Sequence, residues 1–478
     1  MFVSGNGCEG MTGEDGSVAI NRWSAHPYYF INGSLDERVI KSLKREMSYM
    51  VANCQRTTAF QQGKWDGREC LLYKTKKGVY YFPTGMIDCA KRVLNDFGIE
   101  YFVQDIKLDN VRKKYQPLDL KWTGLELRDY QKKAVIDIQN SEGGTICLPT
   151  GSGKTLIMLR IAYEYDLPFI VIVHTKELLY QWERTVKDYF DGYTPGLVGD
   201  GNSHFDSKIT IAMLQTVHQL VTKGEGARLA QYPVLFFDEV HRVAADTAYE
   251  VAMHINSPAR IGSSATPQRI DGKEKKLWAA VGEIKSRITA DELIKQGILA
   301  KPKFIFLTPP AVHIGRGTKW HDAYLQGIVL NEGRNDLIIK VTKELAAQDL
   351  TVYVHVERID HGEMLHGRLP GSVFLSGTDN STRRQLVLKD FEDGKIKILI
   401  STLLREGVSI NSMNCFVAAG GMKSPIGVIQ RIGRALRIAP GKTEAVIVDF
   451  RDSGRYTGDH WQERFETYCE TFGDYVPK

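Results

Sequence analysis

A glycine-rich loop between a short apolar run and a helical stretch is the feature that most constrains this chain. The apolar run spans 145–148 and the helical stretch spans 156–165. The loop with its flanks is Leu148-Pro149-Thr150-Gly151-Ser152-Gly153-Lys154-Thr155. Strand, glycine loop and helix in this order predict a phosphate cradle, because glycines let backbone N–H groups face the phosphates and the helix N-terminus adds partial positive charge.

Two side chains after the glycines complete the predicted phosphate site. Lys154 would reach the β- and γ-phosphates of a nucleoside triphosphate, and Thr155 would bind Mg²⁺. The strict pattern G-x-x-x-x-G-K-[ST] is not met, because Leu148 occupies the position of its first glycine. A glycine turn that only happens to precede a lysine is the alternative. The remaining predicted phosphate contacts are Thr150, Gly151, Ser152 and Gly153.

An acidic pair about 84 residues further on strengthens the prediction of a nucleotide site. Asp238 and Glu239 follow the apolar run 234–237, so they should lie at the carboxyl end of a buried strand, where parallel sheets bind ligands. Asp238 would hold Mg²⁺ through water, and Glu239 would orient and deprotonate the attacking water. The hydroxyls of Ser264 and Thr266, which follow Ile261-Gly-Ser at the end of a possible strand, could link this site to its neighbours by hydrogen bonds.

A basic stretch in the second half of the chain predicts charge stabilisation. Arg434 and Arg437 are three residues apart, so on a helix they would share one face and could neutralise charge on a γ-phosphate. An ordinary basic surface helix is the alternative. Upstream of the loop, the amide of Gln131 could donate to and accept from an adenine edge.

The overall composition limits the class of protein. The 478 residues, 43% apolar and 25% charged, exceed one hydrophobic core, and about three domains are expected. A net charge of +5 permits a polyanionic partner without requiring one. Seven cysteines without a C-x-x-C pair, and no apolar run near the length of a membrane helix, predict a cytoplasmic protein without a disulfide framework.

The first part of the chain predicts a small α+β domain over 18–115, after a flexible start at 1–17. Ser34 and Glu37 have capping-box spacing and precede apolar residues at every fourth position, which predicts a helix. A β-hairpin is predicted with strands at 70–73 and 79–82, followed by a helix over 86–97 that Gly98 ends. The charged segment 110–122 is predicted to be a linker.

The rest of the chain predicts two α/β halves, 116–300 and 301–478. Near-continuous apolar runs alternate with helical stretches, which is typical of parallel strands that are buried on both faces and covered by helices. The strand candidates are 170–173, 209–213, 234–237, 351–354, 396–400, 415–418 and 445–448.

These stretches, in their order, resemble the motifs of superfamily 2 helicases over 125–450. The stretches 148–155, 238–241, 264–266 and 430–437 look like motifs I, II, III and VI, and 174–182, 214–216 and 401–407 look like the weaker motifs between them. The resemblance implies two RecA-like domains with ATP between them, the first binding ATP and the second being the helicase C-terminal domain. It also implies movement along a nucleic-acid strand from 3′ to 5′.

The resemblance assigns roles residue by residue. Gln131 would contact adenine with Arg128 beside it, and Gly407 would belong to the nucleotide site. Here Ser409 follows Gly407-Val, where many relatives carry an acid. The residues expected to grip phosphates of the tracked strand are Thr175, Gln215, Thr216 and Thr402.

Within the superfamily, 264–271 and 291–300 look most like the group of XPB and the UvsW-like phage recombination helicases. Residues 63–68 and the hairpin after them resemble the small DNA-binding domain of the UvsW-like enzymes, so DNA contacts are expected at Lys64, Trp65 and Arg68. The segment from Arg56 to Lys77 holds six basic and two acidic residues. The alternative is a core-capping hairpin whose lysines are only solvated.

The implied function is an ATP-dependent helicase acting on branched or forked duplex DNA, by branch migration, fork regression and unwinding. It would be a monomer working with recombination or replication proteins. Three alternatives are a duplex-DNA translocase that works with a partner, an RNA helicase of the DEAD-box kind, and a nucleotide-gated DNA-binding protein without motor activity. The sequence 238–241 is DEVH rather than DEAD, which disfavours the RNA helicase.

Overall fold

The computed structural model describes residues 18–22, 27–106, 108–141, 143–240, 246–265, 274–403, 412–421 and 424–477. The chain divides into two compact units. Unit 1 comprises Met1–Leu148 and Gly153–Arg287, and unit 2 comprises Pro149–Ser152 and Ile288–Lys478. Among the described residues, no helix combines the length and apolar character needed to cross a membrane.

The N-terminal part of unit 1 is a small α+β layer. Its strands are β1 (Val18–Arg22), β2 (Tyr28–Asn32), β3 (Ser48–Met50), β4 (Arg68–Cys70), β5 (Tyr73–Lys74), β6 (Tyr80–Pro83) and β7 (Tyr101–Gln104). Its helices are α1 (Glu37–Glu46), α2 (Thr58–Gln61), α3 (Ile87–Asp96) and α4 (Leu108–Arg112), with 3₁₀ turns at Cys54–Arg56 and Thr84–Met86. Five strands form a sheet in the order β5-β6-β2-β1-β7, and β3 pairs with β4.

Most elements predicted for this part are present. The hairpin is β5 paired antiparallel with β6, with Tyr73 opposite Tyr81. Helix α3 ends before Gly98, whose φ of 64° lies in the left-handed region that favours glycine. The predicted cap of α1 was wrong, because the Asp36 carboxylate rather than Ser34 accepts the Arg38 N–H, and the helix starts at Glu37. The predicted linker is helical at its start, where α4 ends at Arg112.

The remainder of unit 1 is an α/β layer. Its strands are β8 (Gly143–Cys147), β9 (Phe169–Val173), β10 (Gly196–Gly199), β11 (Asn202–Ser203), β12 (Ile209–Met213), β13 (Val234–Phe237), β14 (Ala259–Ser264) and β15 (Ile284–Arg287). Its helices are α5 (Asp129–Ser141), α6 (Lys154–Tyr165), α7 (Lys176–Tyr189), α8 (Leu214–Thr222), α9 (Asp246–His254) and α10 (Glu274–Val281), with a 3₁₀ turn at Gly226–Gln231.

The strand order of this layer brings three motif-bearing strands together. The order is β11-β10-β12-β9-β13-β14-β8-β15, and every pairing is parallel except that of β10 with β11. The predicted strands at 170–173, 209–213 and 234–237 are confirmed, and β9 and β13 are buried throughout. Because β13, β14 and β8 are neighbours, their carboxyl ends meet at one edge of the sheet.

The N-terminal layer packs on helix α10 of the same unit. Ala279 of α10 belongs to the core of the N-terminal layer, and Trp278 packs against it. Gly85 lies so close that an added Cβ would be 1.8 Å from the carbonyl oxygen of Trp278. Two hydrogen bonds of 2.6 and 2.7 Å join the Arg92 guanidinium to the Glu283 carboxylate. The small layer and the α/β layer therefore share one compact unit, and the domain boundaries proposed at 115 and 300 stay predictions.

Unit 2 is a second α/β layer. Its strands are β16 (Lys301–Leu307), β17 (Val352–His355), β18 (Ser372–Leu375), β19 (Ile398–Ser401), β20 (Cys415–Val417) and β21 (Glu444–Phe450). Its helices are α11 (Ala290–Lys295), α12 (Trp320–Tyr324), α13 (Glu332–Ala346), α14 (Ile359–Arg368), α15 (Ser381–Glu392), α16 (Pro425–Ala435) and α17 (Thr457–Phe472). A π-helix spans Leu325–Val329 and a 3₁₀ turn spans Gly473–Tyr475.

The described strands of unit 2 form one parallel sheet in the order β16-β21-β20-β17-β19-β18. Each strand predicted at 351–354, 396–400, 415–418 and 445–448 is present, with ends shifted by up to two residues. The fold class is confirmed: two tandem RecA-like parallel-sheet layers follow a small α+β layer.

Candidate nucleotide and nucleic-acid sites

The glycine loop joins β8 to α6, as the sequence predicts. Gly151 and Gly153 have φ values of 89° and 80°, which a residue with a side chain adopts only under strain. Gly153 is the N-cap of α6, so Lys154 and Thr155 occupy its first turn. An added Cβ on Gly153 would lie 2.6 Å from Nε2 of Gln131. Both glycines are therefore required where they stand, and Gln131 lies directly beside the loop.

Leu148 explains why the strict glycine pattern fails. Its side chain is fully buried, so it belongs to the core of unit 1. Its N–H donates to the carbonyl oxygen of Ser264 at 3.1 Å, and its own carbonyl accepts from Nζ of Lys154 at 3.2 Å. Leu148 is not among the residues with positive φ. This position therefore needs no glycine, and its backbone serves the loop while its side chain fills the core.

Asp238 lies at the carboxyl end of β13 and is held by three hydrogen bonds. The Ser263 hydroxyl donates to Oδ1 at 2.9 Å, and the Glu239 N–H donates to the same oxygen at 3.0 Å. The indole Nε1–H of Trp182 donates to Oδ2 at 2.9 Å. The side chain of Asp238 is almost completely buried. Its carboxylate is therefore fixed in orientation by two neighbouring strands and by helix α7.

The electrostatics around Asp238 favour a cation. Burial raises the pKa of Asp238, and the nearby Glu239 carboxylate raises it further, whereas the Trp182 hydrogen bond and the positive charge of Lys154 lower it. Glu239 has a φ of 53°, an uncommon value for a residue with a side chain and one that is often found at functional sites. A divalent cation would stabilise both carboxylates in their charged forms.

The residues at this edge fit Mg²⁺ by the chemistry of their donors. The Thr155 hydroxyl lies in the first turn of α6, and Asp238 lies at the end of β13. Hard cations such as Mg²⁺ prefer oxygen ligands and are usually bound by one or two carboxylates together with substrate phosphates. Lys154 adds the positive charge that such phosphates need. These residues would hold the ion, which would neutralise phosphate charge when it is bound.

Gln131 and Arg128 lie together at the start of α5. Gln131 is buried, and its Oε1 accepts the backbone N–H of Arg128 at 3.0 Å. Its Nε2 lies beside Gly153. The predicted adenine contact is thus adjacent to the predicted phosphate loop within unit 1, although its role in binding adenine stays a prediction.

The two arginines of the second half occupy different elements. Arg434 is buried within α16, but the helix ends at Ala435 with Leu436 as its C-cap, so Arg437 follows the helix. The idea that both share a helix face was therefore wrong in its details. Arg437 N–H donates to the Arg434 carbonyl at 3.4 Å, so the last turn keeps them close. Burial lowers the pKa of the Arg437 guanidinium.

The loop piece Pro149–Ser152 belongs to unit 2, and the α16 region of that unit lies against it. An added Cβ on Gly433 would be 2.7 Å from Cβ of Thr150. An added Cβ on Gly151 would be 3.2 Å from Cγ of Arg437. Within unit 2, Arg437 therefore lies beside Gly151.

The candidate strand contacts follow parallel strands at their carboxyl ends. Thr175 follows β9 and caps α7 by accepting the Leu178 N–H at 3.3 Å. Gln215 and Thr216 follow β12, the neighbour of β9, in the first turn of α8. In unit 2, Thr402 follows β19, and its N–H donates to the Leu375 carbonyl at 3.3 Å. In unit 1 these residues thus share one sheet edge with the nucleotide site.

The N-terminal layer exposes the basic side chains that the sequence singled out. Lys64 and Arg68 are exposed, and Trp65 is half-buried with its indole N–H donating to the Arg68 carbonyl at 2.7 Å. Lys74 lies over the Tyr80 ring at 5.0 Å from its centroid. The other exposed basic residues between positions 56 and 77 are Arg56, Lys76 and Lys77.

Two residues of the site were missed at the level of sequence. In the sequence, Trp182 is only the last residue of a helicase-like stretch, and the pattern indicates Ser264 and Thr266 rather than Ser263. The available signal for Ser263 was a hydroxyl side chain at the end of an apolar strand. The prediction lay one residue too far along the chain, at Ser264. For Trp182 there was no local signal, because its partner is 56 residues away. Thr266, His241 and Gly407 lie outside the described residues.

Fold and site together define a class of protein: a P-loop nucleotide hydrolase with tandem RecA-like layers. Residues 124–269 match the family "Type III restriction enzyme, res subunit", and 333–439 match "Helicase conserved C-terminal domain". The chain thus carries both conserved parts of a helicase motor, one in each α/β half.

Comparison with named proteins indicates which helicases and translocases the chain is similar to. The chain is 26% identical to "DNA 3'-5' translocase XPB2" of Sulfurisphaera tokodaii, over 74% of this chain and 88% of that protein. It is 24% identical to "ATP-dependent DNA helicase uvsW" of Enterobacteria phage T4, over 95% of this chain and 98% of that protein. The solved structure "ATP-dependent Type ISP restriction-modification enzyme LlaBIII bound to DNA" shares the fold, with a TM-score of 0.56 and 15% identity over 79% of this chain and 32% of that one.

The two family matches and these relatives support a superfamily 2 helicase that is similar to the UvsW and XPB enzymes. The chain is an ATP-hydrolysing DNA helicase or translocase, and DNA is its partner.

Proposed function

We propose that this helicase acts on branched or forked duplex DNA and moves 3′ to 5′ along one strand. The direction is supported by the relative whose name describes a 3'-5' translocase. The proposed substrate rests on a set of exposed basic residues in the N-terminal layer, here called the basic surface. These residues are Arg56, Lys64, Arg68, Lys74, Lys76 and Lys77.

The basic surface suits duplex phosphates. The six side chains of the basic surface are exposed, so they are accessible to backbone phosphates. Binding to duplex DNA would release counterions and fall steeply as salt rises. Because the N-terminal layer packs on α10, this surface is carried by the same compact unit as Lys154 and Asp238. An enzyme that grips a duplex arm beside its motor is suited to junctions.

The ATP site would work through side chains in named roles. Lys154 and the loop residues from Thr150 to Gly153 would hold the phosphates, and Mg²⁺ would be held by Thr155 and Asp238. Glu239 would orient the attacking water and take its proton. Gln131 would contact adenine beside Arg128, and Gly407 would belong to the same nucleotide site.

The remaining proposed roles are stabilisation of charge on the γ-phosphate and binding of the nucleic-acid backbone. Arg434 and Arg437 would stabilise negative charge on the γ-phosphate as the bond to the leaving group breaks. Hydroxyl and amide groups at the strand ends would hold backbone phosphates without distinguishing base sequence. Those groups belong to Thr175, Gln215, Thr216 and Thr402. We also propose that the enzyme works as a monomer, with recombination or replication proteins as partners.

Separation of a synthetic four-way DNA junction tests the proposal. The wild type should unwind the junction with ATP, and the junction should stimulate ATP hydrolysis more than single-stranded DNA does. The double variant Lys64→Glu/Arg68→Glu should bind the junction about ten- to a hundredfold more weakly at moderate salt, with a shallower salt dependence. ATP hydrolysis without DNA should stay at the wild-type rate.

The control is a double variant that makes the same change of charge at another place in the chain. Lys301→Glu/Lys303→Glu alters two exposed lysines at the amino end of β16, away from the strand ends that carry the candidate contacts. Equal loss of junction binding in both double variants would contradict a specific basic surface. Equal stimulation by RNA, without junction unwinding, would favour an RNA helicase. DNA-stimulated hydrolysis without strand separation would favour a duplex translocase that needs a partner.

A further inference from the structure

Trp182 donates a hydrogen bond to a carboxylate, whereas burial of its indole N–H would require no more than a neutral acceptor. The residue lies in α7 and its side chain is 1% exposed. Its indole Nε1–H can only donate, and it donates to Oδ2 of Asp238 at 2.9 Å. A buried indole N–H needs some acceptor, and a backbone carbonyl would suffice. Here the acceptor is the Asp238 carboxylate at the end of β13.

The bonds to Asp238 leave a defined position open. A carboxylate has about four acceptor positions, two on each oxygen. Ser263 and the Glu239 N–H take both positions on Oδ1, and Trp182 takes one on Oδ2. The described hydrogen bonds therefore leave one acceptor position on Oδ2. Trp182 thereby determines in which direction the remaining lone pair of that oxygen points.

We propose that Trp182 is a positioning residue that orients the Asp238 carboxylate for Mg²⁺. The inference rests on the proposed role of Asp238 as a metal-site residue. Charge-assisted hydrogen bonds of this kind are about twice as strong as neutral ones, so a buried carboxylate held by one would not rotate freely. Without the indole N–H, Oδ2 would lose its anchor while Oδ1 stayed bound to Ser263.

The same helix ties this carboxylate to the candidate strand contacts. Helix α7 begins after its cap, Thr175, and Trp182 lies seven positions later, about two turns along the helix. A shift of α7 would therefore act on Thr175, a proposed strand contact, and on the indole N–H that holds Asp238. The positioning role would thus link the Asp238 carboxylate to the helix that carries this proposed contact.

Equilibrium binding of a fluorescent ADP, with Mg²⁺ or with EDTA, separates positioning from packing. Trp182→Phe keeps a six-membered aromatic ring in the core and removes the five-membered ring that carries the N–H donor. We expect its affinity in EDTA to match the wild type, because Lys154 and the glycine loop hold the phosphates. We expect the gain in affinity that Mg²⁺ brings to fall by about tenfold. Ser263→Ala, which removes the donor to Oδ1, should shift the Mg²⁺ response in the same direction and gives a second variant if Trp182→Phe folds poorly.

Two further variants make the result decisive. Trp461→Phe, in α17 of unit 2, removes an indole that makes ring contacts with Phe306 and Phe465, and it should leave the Mg²⁺ response unchanged. Asp238→Asn should abolish the Mg²⁺ gain. If Asp238→Asn abolishes it and Trp182→Phe leaves it intact, the positioning role is overturned while the metal site stands. If Asp238→Asn also leaves it intact, the metal-site assignment fails and the positioning role fails with it. Equal loss of affinity with Mg²⁺ and with EDTA in Trp182→Phe would indicate a packing role and overturn the inference.

Discussion

Glu239 combines a proposed catalytic role with an uncommon backbone conformation. Its φ of 53° is adopted next to a buried Asp238, whose carboxylate accepts the Glu239 N–H at 3.0 Å. That bond offsets part of the cost of the left-handed conformation. Strain held in place by such contacts is common where a side chain must be presented to a substrate.

Glu239→Gln should therefore bind ATP and fail to hydrolyse it. The amide has nearly the same size but cannot take a proton from the attacking water, so turnover should fall about 10²- to 10⁴-fold. Single-turnover hydrolysis and equilibrium binding of a fluorescent ATP analogue would measure the two steps separately. Glu225→Gln, at an exposed position of unit 1, is the matched control and should hydrolyse ATP normally. Near-normal turnover in Glu239→Gln would remove Glu239 from the catalytic role.

At the scale of elements, the fold of unit 2 keeps two of its buried histidines, His355 and His361, neutral. His355 ends β17, and its Nε2 lies 3.2 Å from Oε1 of Glu357, which also pairs with Arg431. His361 lies in α14, with Nε2 2.9 Å from Oδ1 of Asn335. Burial lowers the pKa of His355 to about 4 and that of His361 to about 3. Each histidine must gain a proton on unfolding below its ordinary pKa of about 6.5.

The sign of the pH effect follows from these depressed pKa values. The stability that neutral histidine contributes is present in full above about pH 6.5, and it is lost as the pH falls toward 4 and 3. From pH 7 to pH 5, each histidine should lower the free energy of unfolding by about 2 kcal/mol. His361→Gln should remove one such contribution from the pH dependence measured by urea unfolding. His321→Gln, at an exposed position, should leave it unchanged, and a slope unaffected by His361→Gln would contradict the argument.

Elements were predictable where a single local pattern decides the structure. The buried strands β9, β12 and β13 followed from apolar runs, because a strand covered on both faces has no polar side to interrupt the run. Ends of elements depend on competition between neighbouring side chains. Ser34 and Asp36 both precede α1, and the carboxylate of Asp36 prevailed because it reaches the Arg38 N–H at 2.7 Å.

The site was predictable to the extent that its residues are close in sequence. Lys154 and Thr155 follow the glycines directly, and Asp238 and Glu239 follow a strand. Trp182 could not be predicted, since its bond to Asp238 depends on how α7 packs on the sheet. The position of Arg437 beyond α16 could not be predicted either, because no glycine or proline marks the residue at which that helix ends.

At the scale of the whole molecule, the small N-terminal layer is attached to the motor by close packing rather than by a flexible linker. Its core is completed by Ala279 of α10, and Arg92 pairs with Glu283 across the contact. Sequence patterns divide a chain by composition, so they separated 18–115 from the α/β half. They contain no information on which helix faces another layer, so the packing of the N-terminal layer on α10 could not be predicted.

Gly85 is the point at which this attachment can be tested. An added Cβ would lie 1.8 Å from the Trp278 carbonyl and 2.7 Å from the Gly282 nitrogen, and both are backbone atoms that cannot move aside alone. Gly85→Ala should therefore cost about 3 kcal/mol through overpacking and loosen the N-terminal layer. Limited proteolysis should then cut within 106–122, and junction binding should weaken although ATP hydrolysis without DNA persists. Gly317→Ala, where no atom lies within 4 Å of the added Cβ, is the control and should resist proteolysis like the wild type. If Gly85→Ala also resists, the layer is not held by this contact.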